Sequence, residues 1–176
     1  ALMVVGNLNL SSGDQIIKKH LEENGFKIEL IDDDIVNGDK GRTKEIVFVS
    51  STCIPSSIGE DLTHIPVPVF SWHPFSYSYL RLSGSGYETD FGFTKNPTNS
   101  VSIVKPGHPM AGGKTGTVKL YNFLQRIPFG KPTVGSIILA KADSLPVIFG
   151  IPKGNQSYSQ ERKVAFPLKG DFIHLF

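Results

Sequence analysis

The chain has 176 residues, 39% of them hydrophobic, enough for one domain with a substantial core and too few for two of ordinary size. Its 18 basic and 16 acidic side chains are interspersed and leave a net charge of +2, which excludes the concentrated basic footprint of a nucleic-acid binder. No window approaches the roughly 18 apolar residues of a membrane-spanning helix, and a single cysteine, Cys53, excludes an internal disulfide or a cysteine-based zinc site.

The predicted elements begin with Leu2 to Val5, a short, wholly apolar run of the kind found in strands buried on both faces. Ser12 is predicted to begin a helix, with a capping box to Gln15, an inner face of Ile16, Ile17 and Leu21, and a stop at Gly25. Phe26 to Ile31 and Glu45 to Val49 read as the second and third strands, separated by a polar stretch suited to a loop or short helix. One or two helical turns are expected over Ser56 to Leu62, then a fourth strand at 67-VPVFSW-72. Apolar strands alternating with helical segments indicate a parallel α/β sheet.

From Asn99 onward, candidate strands follow closely: 101-VSIV-104, 117-TVKLY-121, 136-SIILA-140, 147-VIFGI-151 and 163-KVAFP-167. Turn residues separate them without helical spacing, so this half is expected to be antiparallel or mixed. The Gly-, Ser- and Thr-rich segment 83–99 reads as a long loop over the sheet edge, a common place for function. Residues 169–176 read as a helix starting at Asp171. With a strand at the very first residues, this gives the expectation of a single domain, 1–176, excised from a longer protein. Its compartment stays open on these grounds, an extracellular place in a larger secreted protein being favoured over a cytoplasmic one.

The segment 106-PGHPMAGGKTGTVKLYNF-123 nearly spells a phosphate-binding loop. That motif works only when its lysine opens a helix whose N-terminal amides face the phosphates. Here one residue too many separates Gly107 from Lys114, and β-branched residues in a strand pattern follow. A nucleotide loop is therefore not expected.

The same segment is similar to the central motif of trehalose-utilisation (ThuA-like) proteins. The matching features are His108-Pro109-Met110, Gly112 or Gly113, and Leu120-Tyr121-Asn122, with the opening strand, Pro146-Val147, Lys153-Gly154 and Arg162 to Phe166 following the family's order. The resemblance covers most of the chain and extends to the class I glutamine amidotransferase-like fold. It implies a flavodoxin-like three-layer sandwich with a parallel sheet, extended by antiparallel strands in the C-terminal half.

An amidotransferase places its nucleophilic cysteine between glycines on a sharp turn, where backbone amides meet the oxyanion. In 49-VSSTCIPSS-57 no glycine flanks Cys53, and Pro55 removes a backbone amide two residues on. The expectation is a non-catalytic accessory domain with a structural, assembly or carbohydrate-binding role. The alternative is a carbohydrate-active hydrolase or isomerase using Ser51 (or Ser50), His73, His108 and Asp90. His73 and His108 each precede a proline, and backbone bonding that holds a turn is the simpler role for both. His20, His64 and His174 lack metal-ligand spacing. No metal and no cofactor is expected.

Ligands of open α/β sheets bind beyond the carboxyl ends of the strands. That rule selects Asn7, Asn9, Ser51, Trp72, His73 and Tyr87 as candidate ligand-binding residues, a mixture of amide, hydroxyl, imidazole and aromatic groups that suits a sugar. Packing of the sheet edge by the aromatics is the competing role. Expected partners are a carbohydrate or other domains of a parent protein, with self-association through an exposed β edge as a further possibility.

Overall fold

The computed structural model describes residues 1–154 and, in backbone outline, Gln156–Ser157, Phe166–Pro167 and Phe172–His174. Its strands are β1 (Leu2–Val5), β2 (Glu29–Asp32), β3 (Val47–Val49), β4 (Val69–Ser71), β5 (Phe91–Phe93), β6 (Ser100–Ile103), β7 (Thr117–Lys119), β8 (Pro128–Gly130), β9 (Ile137–Ala142), β10 (Leu145–Ile151), β11 (Gln156–Ser157), β12 (Phe166–Pro167) and β13 (Phe172–His174). The helices are α1 (Ser12–Glu23), α2 (Gly38–Arg42) and α3 (Pro55–Ile58), supplemented by short 3₁₀ turns.

Nine strands form one sheet in the order β2-β1-β3-β4-β13-β10-β9-β6-β7. The first five are parallel neighbours, and β13 pairs antiparallel with β10 on its other side. The antiparallel half continues through β9, β6 and β7. A separate two-stranded ribbon joins β5 to β8, with Phe91 opposite Gly130. The fold is thus mixed α/β and flavodoxin-like, with the antiparallel extension in the C-terminal half.

Alternation along β1 builds the layers. Leu2 and Val4 face a core shared with Val47, Val49, Ile58, Leu62 and Ile65, under α2 and α3. Met3 and Val5 face the other way, joining Phe48, Ile17 and Leu21 under α1. A strand with helices on both faces must be apolar at every position, and all four residues of β1 are buried. The antiparallel half has its own core around Val101, Ile127, Phe129, Ala140 and Val147. The hairpin between β9 and β10 turns at Asp143 and Ser144, both with positive φ, as a two-residue turn matched to strand twist requires.

Three local expectations are corrected. The N-cap of α1 is Ser11, whose side chain accepts from the Asp14 amide, so the cap lies one residue earlier than predicted. Ile16 is 69% exposed rather than part of the inner face, because it lies about 200° around the helix from the buried Asp14. Phe172–His174 form a strand paired with β4, not a helical turn, since short apolar runs carry no helix-specific period. The remainder of 169–176, and most of the predicted strand 163–167, lie outside the described residues.

The near-miss phosphate loop builds no nucleotide cradle. His108 caps a single 3₁₀ turn, Pro109–Ala111; Gly112 and Gly113 follow at positive φ, and the chain then enters β7. Among the described residues, no helix is long and apolar enough to cross a membrane.

Candidate functional site

Three parallel strands, β1, β3 and β4, deliver their following loops to one edge of the sheet. The first two loops touch. A Cβ added at Gly6 would meet the Thr52 carbonyl oxygen at 2.1 Å, so only glycine lets the chains cross there. Below the crossing, the Asp14 carboxylate is 3% exposed. It accepts from the hydroxyls of Ser50, of Thr52 at 2.9 Å and of Ser11 at 3.0 Å. A buried carboxylate needs such donors. Ser50, fully buried on this acid, is structural, whereas neighbouring Ser51 is exposed on the rim.

The second contact joins the loops after β3 and β4. Nε2 of His73 lies 3.0 Å from the Cys53 carbonyl oxygen. A carbonyl can only accept, so the ring proton sits on Nε2 and Nδ1 carries the lone pair. Nδ1 is buried and, among the described residues, has no hydrogen-bond partner. Burial holds the imidazole below its usual pKa, and the bond to Cys53 opposes this only in part. The Cys53 thiol points back toward the Val4 carbonyl, 3.4 Å away, and burial pushes its pKa up to about 12, with Asp33 adding to the effect. Imidazole and cysteine therefore meet through backbone, leaving the sulfur protonated and turned inward.

Two grooves open on either side of His73 and Phe75. One, of about 710 Å³, runs between α3 and the 83–91 loop, lined by Ser56, His73, Phe75, Tyr79 and Phe91. The other, of about 380 Å³, is lined by Ser51, Trp72, His73, Phe75, Gln125 and Arg126, with Tyr121 and Phe93 completing its wall. Phe75 is the ridge between them. It stacks on Tyr87 at 5.9 Å and meets Phe91 and Phe93 at 6.2 and 6.0 Å.

The structure thus brings Ser51, Trp72 and His73 into one groove, as the strand-end rule anticipates. Tyr87 supports the ridge from behind. Asn7 and Asn9 stay in the loop after β1, where the Asn7 side chain accepts from the Asn9 amide at 2.8 Å. Asp90 accepts from the Gly86 amide at 2.9 Å, and its carboxylate occupies the space a Cβ at Gly84 would take. His108 accepts the Met110 amide on Nδ1 at 3.2 Å and lines neither groove. The His108 ring therefore bonds local backbone, whereas the His73 ring bonds the backbone of a loop twenty residues away. Phe75 falls within the stretch after β4 that the strand-end rule selects, whereas Gln125 and Arg126 carry no mark in the sequence that sets them apart. Their only signal is topological, since β8 returns beside β5 and carries residues 125–126 to the end of β4.

A cluster outside the grooves is formed by Asp32, Asp33 and Asp34 after β2, with ligand-type oxygens within 4.8 Å of one another. Asp33 accepts from the Ile54 amide, and burial raises its pKa. The Asp34 side chain accepts from Ser57.

No protein-family model and no curated protein matches this sequence. Solved structures do. A provisionally assigned GMP synthase subunit from Thermoplasma acidophilum aligns with a TM-score of 0.62 at 11% identity, over 97% of this chain and 80% of that one. A cytoplasmic protein from Salmonella typhimurium aligns with a TM-score of 0.62 at 9% identity, over 99% and 85%. The fold is amidotransferase-like. A ThuA-like protein from Bacteroides uniformis superposes less closely, with a TM-score of 0.48 at 11% identity, over 99% and 80%. These likenesses describe the architecture of this amidotransferase-like domain; its chemistry has to come from its own side chains.

Proposed function

We propose that this amidotransferase-like domain is a non-catalytic accessory module that binds carbohydrate in the grooves flanking His73 and Phe75. The observation that carries this reading is the use made of His73. Its Nε2–H is occupied by the Cys53 carbonyl, while the thiol is buried, protonated and directed at Val4. Nucleophilic catalysis needs the base within hydrogen-bond reach of the nucleophile's own proton, and that contact is absent from the Cys53–His73 pair. The remaining groove chemistry supports binding. Trp72 and Phe75 offer apolar faces for the C–H surface of a sugar ring, and Ser51 and Gln125 offer hydroxyl and amide groups for its hydroxyls.

A carbohydrate-active hydrolase or isomerase is the second reading. It is favoured by the His73 Nδ1 lone pair, which has no partner among the described residues and belongs to a groove-lining residue. One experiment separates the two. Sugars titrated into the protein are expected to perturb the Trp72 indole resonance, with loss of that perturbation in Phe75→Ala, and no turnover of glycoside or ester substrates. Turnover that disappears in His73→Ala or Ser51→Ala would overturn the non-catalytic assignment.

A further inference from the structure

We infer that the groove lined by Ser51, Trp72 and Arg126 selects an anionic sugar, with Arg126 holding the acidic group; this rests on the carbohydrate reading above. Arg126 is the positive charge of that groove, and among the described residues no aspartate or glutamate lines it. Its guanidinium is held by neutral atoms. Nε donates to the Thr94 carbonyl at 2.7 Å and one terminal nitrogen to the Phe93 carbonyl at 3.3 Å. Among the described residues no carboxylate pairs with it. The fork is thus oriented by two backbone carbonyls, its charge is not neutralised, and it keeps N–H groups free for a planar acceptor.

The backbone beneath Arg126 is fixed on both sides. Residues Thr98 and Gln125 exchange two backbone bonds, at 2.8 and 3.1 Å. Ile127 receives the Thr94 amide at 2.8 Å and gives its own amide to the Thr94 hydroxyl at 2.9 Å. Such bracketing lowers the ordering cost of binding, as preorganised sites require.

A neutral sugar is best met by acids and amides that accept from its hydroxyls. Here, among the described residues, the acids are missing and the charge is cationic, so the matching ligand carries its own negative charge. Trp72 and Phe75 require in addition a ring with an apolar face, which a bare anion lacks. The groove volume of about 380 Å³ is at the small end of ligand pockets, roughly 300–1,000 Å³, and suits a monosaccharide or the end of a chain. A carboxylate and a phosphate both satisfy the Arg126 fork, so the shared chemistry is an anionic sugar.

The test titrates the wild-type protein with glucuronate, glucuronic acid methyl ester, glucose, glucose 6-phosphate and inorganic phosphate, following Trp72 by NMR. We expect glucuronate or glucose 6-phosphate to bind at least tenfold more tightly than glucose and the methyl ester. Whichever of the two anionic sugars binds more tightly names the acidic group. The preference should shrink as salt is raised and disappear in Arg126→Gln; the ester and salt comparisons use unmutated protein, so a folding defect in the variant cannot obscure the answer. Equal binding of charged and neutral sugars would overturn the anion preference and leave the carbohydrate reading standing. Inorganic phosphate binding as tightly as the sugar phosphate would also overturn it, and no sugar binding at Trp72 would remove both.

Discussion

His73 and Cys53 are twenty residues apart and meet at 3.0 Å through one imidazole N–H and one backbone carbonyl. The bond ties the loop after β3 to the loop after β4 at the mouth of both grooves. Ser71 and Ser76 reinforce it: Ser71 Oγ accepts the His73 amide at 3.2 Å, and Ser76 Oγ donates to the His73 carbonyl at 2.8 Å. The histidine is therefore fixed at ring and backbone alike.

The lowered pKa of His73 makes stability pH-dependent in a defined direction. The unfolded chain, with an ordinary histidine near pH 6.5, takes up the proton more readily than the folded one. Stability from this residue is thus complete above about pH 6.5, declines as pH falls toward the depressed folded value, and levels off below it. Urea unfolding of wild type and His73→Gln between about pH 7.5 and 5 should show the wild type losing more stability on acidification. Parallel curves would remove His73 as the cause.

With its thiol 4% exposed and titrating near 12, Cys53 should be inert to thiol reagents in the native protein at about pH 8, since the thiolate is the reactive form. Labelling by a disulfide reagent is expected only after denaturant is added. Rapid stoichiometric labelling of the folded protein would contradict the inward thiol.

Asp14→Ala should cost about 3 kcal/mol, because hydrogen bonds to a charged group contribute roughly 1.5–3 kcal/mol and Ser50 would be left buried without its acceptor. Asp14→Asn should cost less, since it retains an acceptor oxygen. Chemical denaturation of the two variants checks the order, and equal stability of Ala and wild type would contradict the network.

Gly6→Ala places a methyl group against the Thr52 backbone and should destabilise by about 1–3 kcal/mol, the usual cost of overpacking. A shift of the denaturation midpoint with an unchanged slope is the expected signature.

The parallel half was readable because β1, β3 and β4 are buried on both faces, which writes an uninterrupted apolar run into the sequence. The strand-end rule grouped Ser51, Trp72 and His73 at one sheet edge, and the three line one groove. The ribbon of β5 and β8 was not readable: three-residue strands such as 91-FGF-93 and 128-PFG-130 carry no period, and nothing local signals that Phe91 will lie opposite Gly130. Arg126 was missed for the same reason, since only that pairing brings it to the end of β4. The inner face of α1 was misread at Ile16, which lies about 200° around the helix from Asp14 and so off the stripe of Asp14, Ile17 and Leu21.

The insertion of β13 between β4 and β10 has a consequence for synthesis. Emerging from the ribosome, the chain produces every other strand of the large sheet before this one, so β4 and β10 each wait with an unpaired edge. Exposed edges template association between chains. The newly made protein therefore passes through an interval of vulnerability that the pairing of β13 closes, and a chaperone acting before that pairing would find those two edges open.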